Sequence, residues 1–219
     1  MTIERFNRPP DNLYSKRTLF LEKLIAADMF DPDGVHHEFN QGLHGQKIDL
    51  DRVVVGTALF DEWVRLTAEF IEGSYAEPPD VLVGVASGSN RLVQPVSGRL
   101  AGKPLALETI KTERSAPVLS EISRVAIQEA QRSFVLVLED VANRGTNTLS
   151  VVRSVQAAGA KRVEVLNTLQ RSPELELLRA NGISYRSILT HILPNYSETD
   201  CREFGYCAHG WRLVPYKIL

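Results

Sequence analysis

The segment from Phe134 to Thr148 constrains this chain more than any other: Phe-Val-Leu-Val-Leu-Glu-Asp-Val-Ala-Asn-Arg-Gly-Thr-Asn-Thr. Five apolar residues run directly into two adjacent carboxylates, Glu139 and Asp140. A loop with one glycine among small hydroxyl and amide residues follows. Beyond it, Leu149, Val151, Val152, Val155 and Ala158 recur at helical spacing. The apolar run is too short for a helix and rich in Val, so it predicts a buried parallel strand. Strand, acidic pair, small-residue loop and helix together suit a phosphate next to a sugar diol. Loop N–H groups and a helix N-terminus hold the phosphate. Ionised carboxylates, which only accept hydrogen bonds, take the sugar hydroxyl protons.

The rest of the chain repeats that alternation. Residues 1–12 are polar and read as an arm. Leu13 to Phe30 reads as a helix with Phe20, Leu21, Leu24 and Ile25 on one face, stopped by Asp31-Pro32-Asp33-Gly34. Residues 35–55 read as short strands around a turn at Leu43-His44-Gly45. Thr57 to Tyr75 is a second amphipathic helix with Leu59, Trp63, Leu66, Phe70 and Ile71 inward. From Asp80 onward, strands are expected at 81–86, 104–108, 134–139, 162–168 and 184–190. Helices are expected at 90–100, 147–159 and 173–181, with 120–130 able to be helical. Ser87-Gly88-Ser89 and the polar stretch 109–119 read as loops. Such βα units predict an α/β fold with a mainly parallel sheet flanked by helices. Its ligand belongs at the carboxyl ends of the strands, where Ser87-Gly88 and Glu139-Asp140 both fall.

Composition removes several function classes. A net charge of −2 gives no global basic bias toward nucleic acid or an anionic membrane. No apolar run approaches the roughly 20 residues of a membrane span. The first residues lack a signal-peptide apolar core, and the 2 cysteines, Cys201 and Cys207, make no disulfide scaffold. A cytoplasmic protein is expected.

Two phosphate-compatible loops on one sheet suggest a ligand with two phosphate groups. Leu138-Glu139-Asp140-Val141-Ala142-Asn143-Arg144-Gly145-Thr146-Asn147-Thr148 resembles the signature of the type I phosphoribosyltransferases. Within that family the orotate phosphoribosyltransferases are most similar, from about residue 14 onward. Gly84-Val85-Ala86-Ser87-Gly88 is similar to their pyrophosphate loop, and Gly102-Lys103-Pro104-Leu105-Ala106 to the strand before their mobile catalytic loop. His37-Glu38-Phe39 and Gly45 to Asp51 resemble their N-terminal hood hairpin. The resemblance implies a type I phosphoribosyltransferase fold with a small N-terminal hood. It implies an arm over 1–12 and one domain over 13–219: hood about 13–56, core about 57–192 and C-terminal extension 193–219.

The implied activity is transfer from phosphoribosyl pyrophosphate (PRPP) to a nitrogenous base, as in pyrimidine nucleotide biosynthesis. By resemblance, Glu139 and Asp140 hold the ribose hydroxyls. Asn143, Arg144, Gly145, Thr146, Asn147 and Thr148 cradle the 5-phosphate, and Ala86, Ser87 and Gly88 approach the pyrophosphate. Lys111 and Arg114 join Asp140 as catalytic candidates. Asn143, Arg171 and Lys47 are the base-side candidates. Mg2+ is the implied cofactor, held through PRPP and water with no direct protein ligand. A homodimer is implied, since the family's mobile loop usually completes a neighbour's site.

The chain departs from the family at named positions. The family arginine of the mobile-loop strand falls on Thr109 and the following lysine on Ile110. Each lost charge-assisted contact is worth roughly 1.5–3 kcal/mol. Asn143 stands where the family has a Thr contacting orotate, and Arg144 where a small residue usually follows. Lys47 is shifted from the hood lysine. Transfer to a different base or small acceptor stays open, as does a catalytically weak PRPP or nucleotide sensor. Cys201, Cys207 and His209, with His191, match no strong metal-binding spacing. His36, His37 and His44 read as hood-loop residues without a metal.

Overall fold

Strand alternation sorts the core into two layers. The computed structural model describes residues 11–39, 42–110, 116–129 and 134–215. Its order begins with α1 (Asp11–Ala26), β1 (Val35–Phe39), β2 (Leu43–Gly45), a 3-10 turn at Leu50–Arg52 and α2 (Ala58–Ser74). Then come β3 (Val81–Gly84), α3 (Ala86–Arg99), β4 (Leu105–Leu107), β5 (Thr109–Ile110), β6 (Val118–Leu119) and α4 (Glu121–Glu129). The second half holds β7 (Phe134–Ala142), α5 (Thr146–Ala157), β8 (Arg162–Gln170), α6 (Glu176–Ala180), β9 (Tyr185–Thr190), β10 (Asn195–Tyr196), α7 (Glu198–Glu203) and β11 (Arg212–Pro215).

Five strands form one all-parallel sheet in the order β4-β3-β7-β8-β9. Successive side chains of a strand point to opposite faces. Leu82, Leu136, Leu138 and Leu166 therefore meet Phe20, Leu24, Trp63 and Ile71 on one face. Val81, Val83, Val135, Val137 and Val165 meet Val151, Val152, Val155 and Leu178 on the other. The unbroken apolar runs of β3 and of Phe134–Leu138 in β7 are what burial on both faces demands. α2 starts cleanly because Thr57 Oγ1 accepts the Phe60 N–H at 3.3 Å. No helix among the described residues is long and apolar enough to cross a membrane.

A second sheet, β10-β2-β1-β11, joins the two ends of the chain. β1 pairs antiparallel with β2 and parallel with β11, so the hood hairpin and the last strand share one ladder.

Five expectations change. The first helix stops at Ala26, short of Phe30. Asp28 adopts a left-handed φ of 55°, and the Met29 N–H closes back on the Leu24 carbonyl at 3.1 Å. Ile25 lies on the solvent side of that helix, 49% exposed. Leu43-His44-Gly45 is strand β2, and the left-handed Gly42 precedes it. Ser87-Gly88-Ser89 belongs to the first turn of α3, and Thr109–Ile110 pairs antiparallel with Val118–Leu119 instead of forming plain loop.

Candidate functional site

β7 delivers the two carboxylates to the end of the sheet. Glu139 is buried, and its Oε2 accepts the Thr148 hydroxyl at 2.6 Å. Strand and following helix are thus pinned across the loop between them. Asp140 points to the opposite side. Its Oδ1 accepts the Val141 N–H at 2.8 Å. Burial pushes its carboxyl above the ordinary range and the nearby Asp51 carboxylate adds repulsion, while the Val141 hydrogen bond opposes both.

Asp140 faces the first turn of α3. A Cβ built on Gly88 would overlap Asp140 Oδ2 and lie 3.2 Å from Asp51 Oδ1. Only glycine lets the backbone come this close. Asp51 arrives from the 3-10 turn, which Arg91 of α3 holds down. The Arg91 guanidinium donates to the carbonyls of Leu50, Asp51 and Val53, the last at 2.6 Å, and to Gly88 at 3.1 Å. Asp51 and Arg91 are absent from the sequence-based candidates. Some 40 residues separate them, and no local spacing signals such a contact.

On the other side of β7 lies an open cleft of about 280 Å3, lined by Phe39, Leu43, Glu139 and residues 141–148. Gly145 turns the chain into α5 with φ of 80°, and a Cβ there would sit 2.9 Å from Leu178. α5 has no side-chain cap and no acidic residue in its first turn. Its first N–H groups lack intrahelical partners by construction. Thr146, Asn147 and Thr148 thus present donors and a helix dipole to the cleft, an arrangement that favours an anion. Arg144 is exposed at its rim.

The Gly84–Gly88 segment is braced internally. Ala86 has a left-handed φ of 55°, a strain that persists only where neighbours over-determine it. Thr109 supplies the bracing. Its hydroxyl accepts the Ala86 N–H and donates to the Gly84 carbonyl, both at 2.9 Å. Asn90 clamps the Thr109 backbone from both sides. The Ala86 amide, expected to approach a pyrophosphate, is therefore engaged by Thr109, the position on which the resemblance places the family arginine. Lys111 and Arg114 lie outside the described residues.

The base-side candidates separate in space. Asn143 lines the cleft, and its Oδ1 accepts from Asn195 Nδ2 at 2.9 Å. Arg171 donates to Asn195 Oδ1, also at 2.9 Å, and stacks over the Phe39 ring at 4.8 Å. It is 4% exposed and sits behind the cleft wall instead of lining it. A Cβ on Gly45 would lie 2.5 Å from Asn195 Oδ1, so β2 presses directly on this relay. Lys47 stands apart, its ammonium 2.9 Å from Asp49. Asn195 is a site residue that sequence reasoning missed: it lies in a short strand with no motif of its own.

A doubly covered parallel sheet with an acidic pair, Glu139 buried and Asp140 half-buried, and a helix N-terminus at the end of its central strand suits a phosphorylated sugar. The family model for the phosphoribosyl transferase domain matches residues 51–193, and the chain belongs to the type I phosphoribosyltransferases. Similar solved structures are mostly orotate phosphoribosyltransferases. One from Mycobacterium tuberculosis H37Rv, in complex with PRPP, is 20% identical with a TM-score of 0.53, over 80% of this chain and 96% of that one. One from Aeropyrum pernix is 18% identical with a TM-score of 0.59, over 84% and 97%. An adenine phosphoribosyl transferase from Trypanosoma brucei, in complex with AMP, pyrophosphate and ribose-5-phosphate, is 13% identical with a TM-score of 0.53, over 78% and 79%. These likenesses are in fold. No curated protein matches the sequence.

Proposed function

We propose that the chain transfers the phosphoribosyl group of PRPP to a nitrogenous base, with orotate as the first acceptor to test. The observation that carries this reading is the pairing of Glu139 with the uncapped α5 N-terminus around one cleft, with Asp140 beside it on the opposite side of β7 facing Gly88. In the reaction, the base nitrogen forms a bond to C1 of the ribose while the bond from C1 to the pyrophosphate oxygen breaks. The pyrophosphate keeps the electron pair, and the base nitrogen's proton goes to solvent.

The protein's part is positioning and charge. Residues 145–148 anchor the 5-phosphate, and the acidic pair accepts the ribose hydroxyl protons. Negative charge close to the sugar favours the positive charge that grows on the ring. The Asp51 and Asp140 carboxylates both approach Gly88, a negative spot that suits Mg2+ held through PRPP and water. Mg2+ bound with PRPP supplies neutralisation of the departing pyrophosphate. Lys111 and Arg114 belong to this proposal as the loop cations. So do Asn143, Arg171 and Lys47 on the base side, Arg171 acting through Asn195. The arm, the single domain over 13–219, a homodimer and a cytoplasmic role in pyrimidine nucleotide formation are parts of the same reading. Residues 1–10 of the arm lie outside the described residues, while Asp11 and Asn12 begin α1.

The test follows pyrophosphate release from PRPP and Mg2+ across orotate, uracil and purines, with sedimentation for the dimer. Release with orotate alone supports the full reading. Release with another base keeps the transferase and replaces the acceptor. A second reading, a PRPP or nucleotide sensor with little turnover, is favoured by Thr109 holding the Ala86 amide. Tight PRPP binding without release for any base selects it, and no PRPP binding sinks both.

A further inference from the structure

The two cysteines meet two histidines from the other end of the chain. Ligand atoms of His36, His44, Cys201 and Cys207 all lie within 4.8 Å of one another. Cys207 Sγ is 3.3 Å from His36 Nε2 and 3.5 Å from His44 Nδ1. His36 and Cys201 are fully buried, and His44 is nearly so. The cysteines meet neither His209 nor His191 in this cluster, which is assembled from β1, β2, α7 and the turn after it. From sequence its histidines read as hood-loop residues without a metal. His36 and His44 stand on neighbouring strands, brought together by the pairing of Glu38 with His44 and His37 with Gly45.

We propose that these four side chains bind a single zinc ion that ties the C-terminal segment to the hood sheet. Zinc–sulfur bonds of about 2.3 Å and zinc–nitrogen bonds of 2.0–2.1 Å give a tetrahedron with edges of roughly 3.3–3.8 Å. The two Cys207 contacts fall in that range, and a small contraction of the rest completes it. Two imidazoles and two thiolates are a borderline-soft set that suits zinc and disfavours Mg2+ or Ca2+. A two-iron cluster would hold its histidines and cysteines on different iron atoms; Cys207 lies too close to both imidazoles for that. The Cys207 N–H already donates to Cys201 Sγ at 3.2 Å, a contact that supports a thiolate. On binding, the two thiols release their protons to solvent and both imidazoles stay neutral. Four protein ligands leave no open position, so the site is structural. It stiffens the sheet that carries Phe39 and Leu43 to the cleft and Gly45 against Asn195. The proposal stands independently of the transferase reading.

The test is metal analysis of the full-length chain, purified without chelator and without a metal-affinity column. One zinc per chain is expected. Cys207→Ser and His44→Ala should each abolish stoichiometric zinc, whereas His209→Ala should retain it. Cobalt(II) in place of zinc should give thiolate charge-transfer bands and the intense d–d absorption of a tetrahedral site. Should the variants fail to fold, mercurial titration of the wild type keeps the test open: zinc release should finish when two thiols are modified. Removing zinc should lower Tm, and adding it back should restore it. A folded chain that holds no zinc and takes none up overturns the proposal. So does an intact mass showing Cys201 and Cys207 joined by a disulfide in the native protein.

Discussion

On the proposed function, the phosphate side and the base side of the cleft are made in different ways. The phosphate wall comes from one continuous stretch, residues 139–148, whose carboxylates, glycine turn and helix start are neighbours in the chain. The proposed base side shows Phe39 from the hood and Asn143 from the loop after β7, backed by Gly45 of β2, Arg171 after β8 and Asn195 of β10. A contiguous wall keeps its geometry through local backbone preferences. An assembled wall keeps it only while several long-range contacts hold. The first should tolerate drift elsewhere in the molecule; the second should be where acceptor specificity shifts most easily.

The largest effect is expected from Gly88→Ala, which strikes the acidic pair from the face of β7 opposite the cleft. The new methyl would displace Asp140 from the α3 turn. A misplacement of about 1 Å at reacting groups costs on the order of 10²-fold in rate, so kcat/KM should fall at least that far while circular dichroism stays native. An unchanged rate would remove Asp140 from the site.

Asp140→Asn comes next. Losing an ionised acceptor worth about 1.5–3 kcal/mol should weaken PRPP binding roughly 10- to 150-fold, read by calorimetry. Stability should move the other way. The folded carboxyl titrates above its ordinary value, so wild type loses stability as pH rises from about 4 through that raised value, and the loss persists above it. The Asn variant escapes the loss. Its Tm advantage should therefore grow from acid to neutral pH; a constant difference would contradict the burial of Asp140.

Thr109→Val probes the brace under the strained Ala86. A buried N–H left without its acceptor costs about 1–3 kcal/mol, so thermal or denaturant unfolding should show a loss of that size. A gain in turnover alongside that loss would mean that Thr109 restrains the loop, as the sensor reading holds. The smallest effect is expected from Asn195→Ala. Cutting the relay from Arg171 to Asn143 should raise KM for the base about 2- to 13-fold, the equivalent of 0.5–1.5 kcal/mol, and leave PRPP affinity unchanged. A change in PRPP affinity would show that the two walls are coupled.

Much of the site was legible because its chemistry is local. An apolar run ending in Glu139-Asp140 reads as a strand whose acidic end reaches the carboxyl end of the sheet, and Gly145 before a periodic segment as the opening of a helix. Ile25 was misplaced since helical periodicity alone cannot say how wide the buried stripe is. Leu43-His44-Gly45 was read as a turn because a three-residue strand carries too little alternation to declare itself.

By itself the sequence determined the parallel sheet, the order of its βα units and the phosphate-binding segment. These follow from side-chain period and backbone preference within ten or fifteen residues. The tertiary structure alone decided that Asp51 stands beside Asp140, that Thr109 occupies the Ala86 amide, that Arg171 lies behind Asn195, and that His36 and His44 meet Cys201 and Cys207. Those pairings span from about 23 to 171 residues. They depend on how the hood sheet and the central sheet bury their apolar faces, a collective outcome that no local pattern encodes.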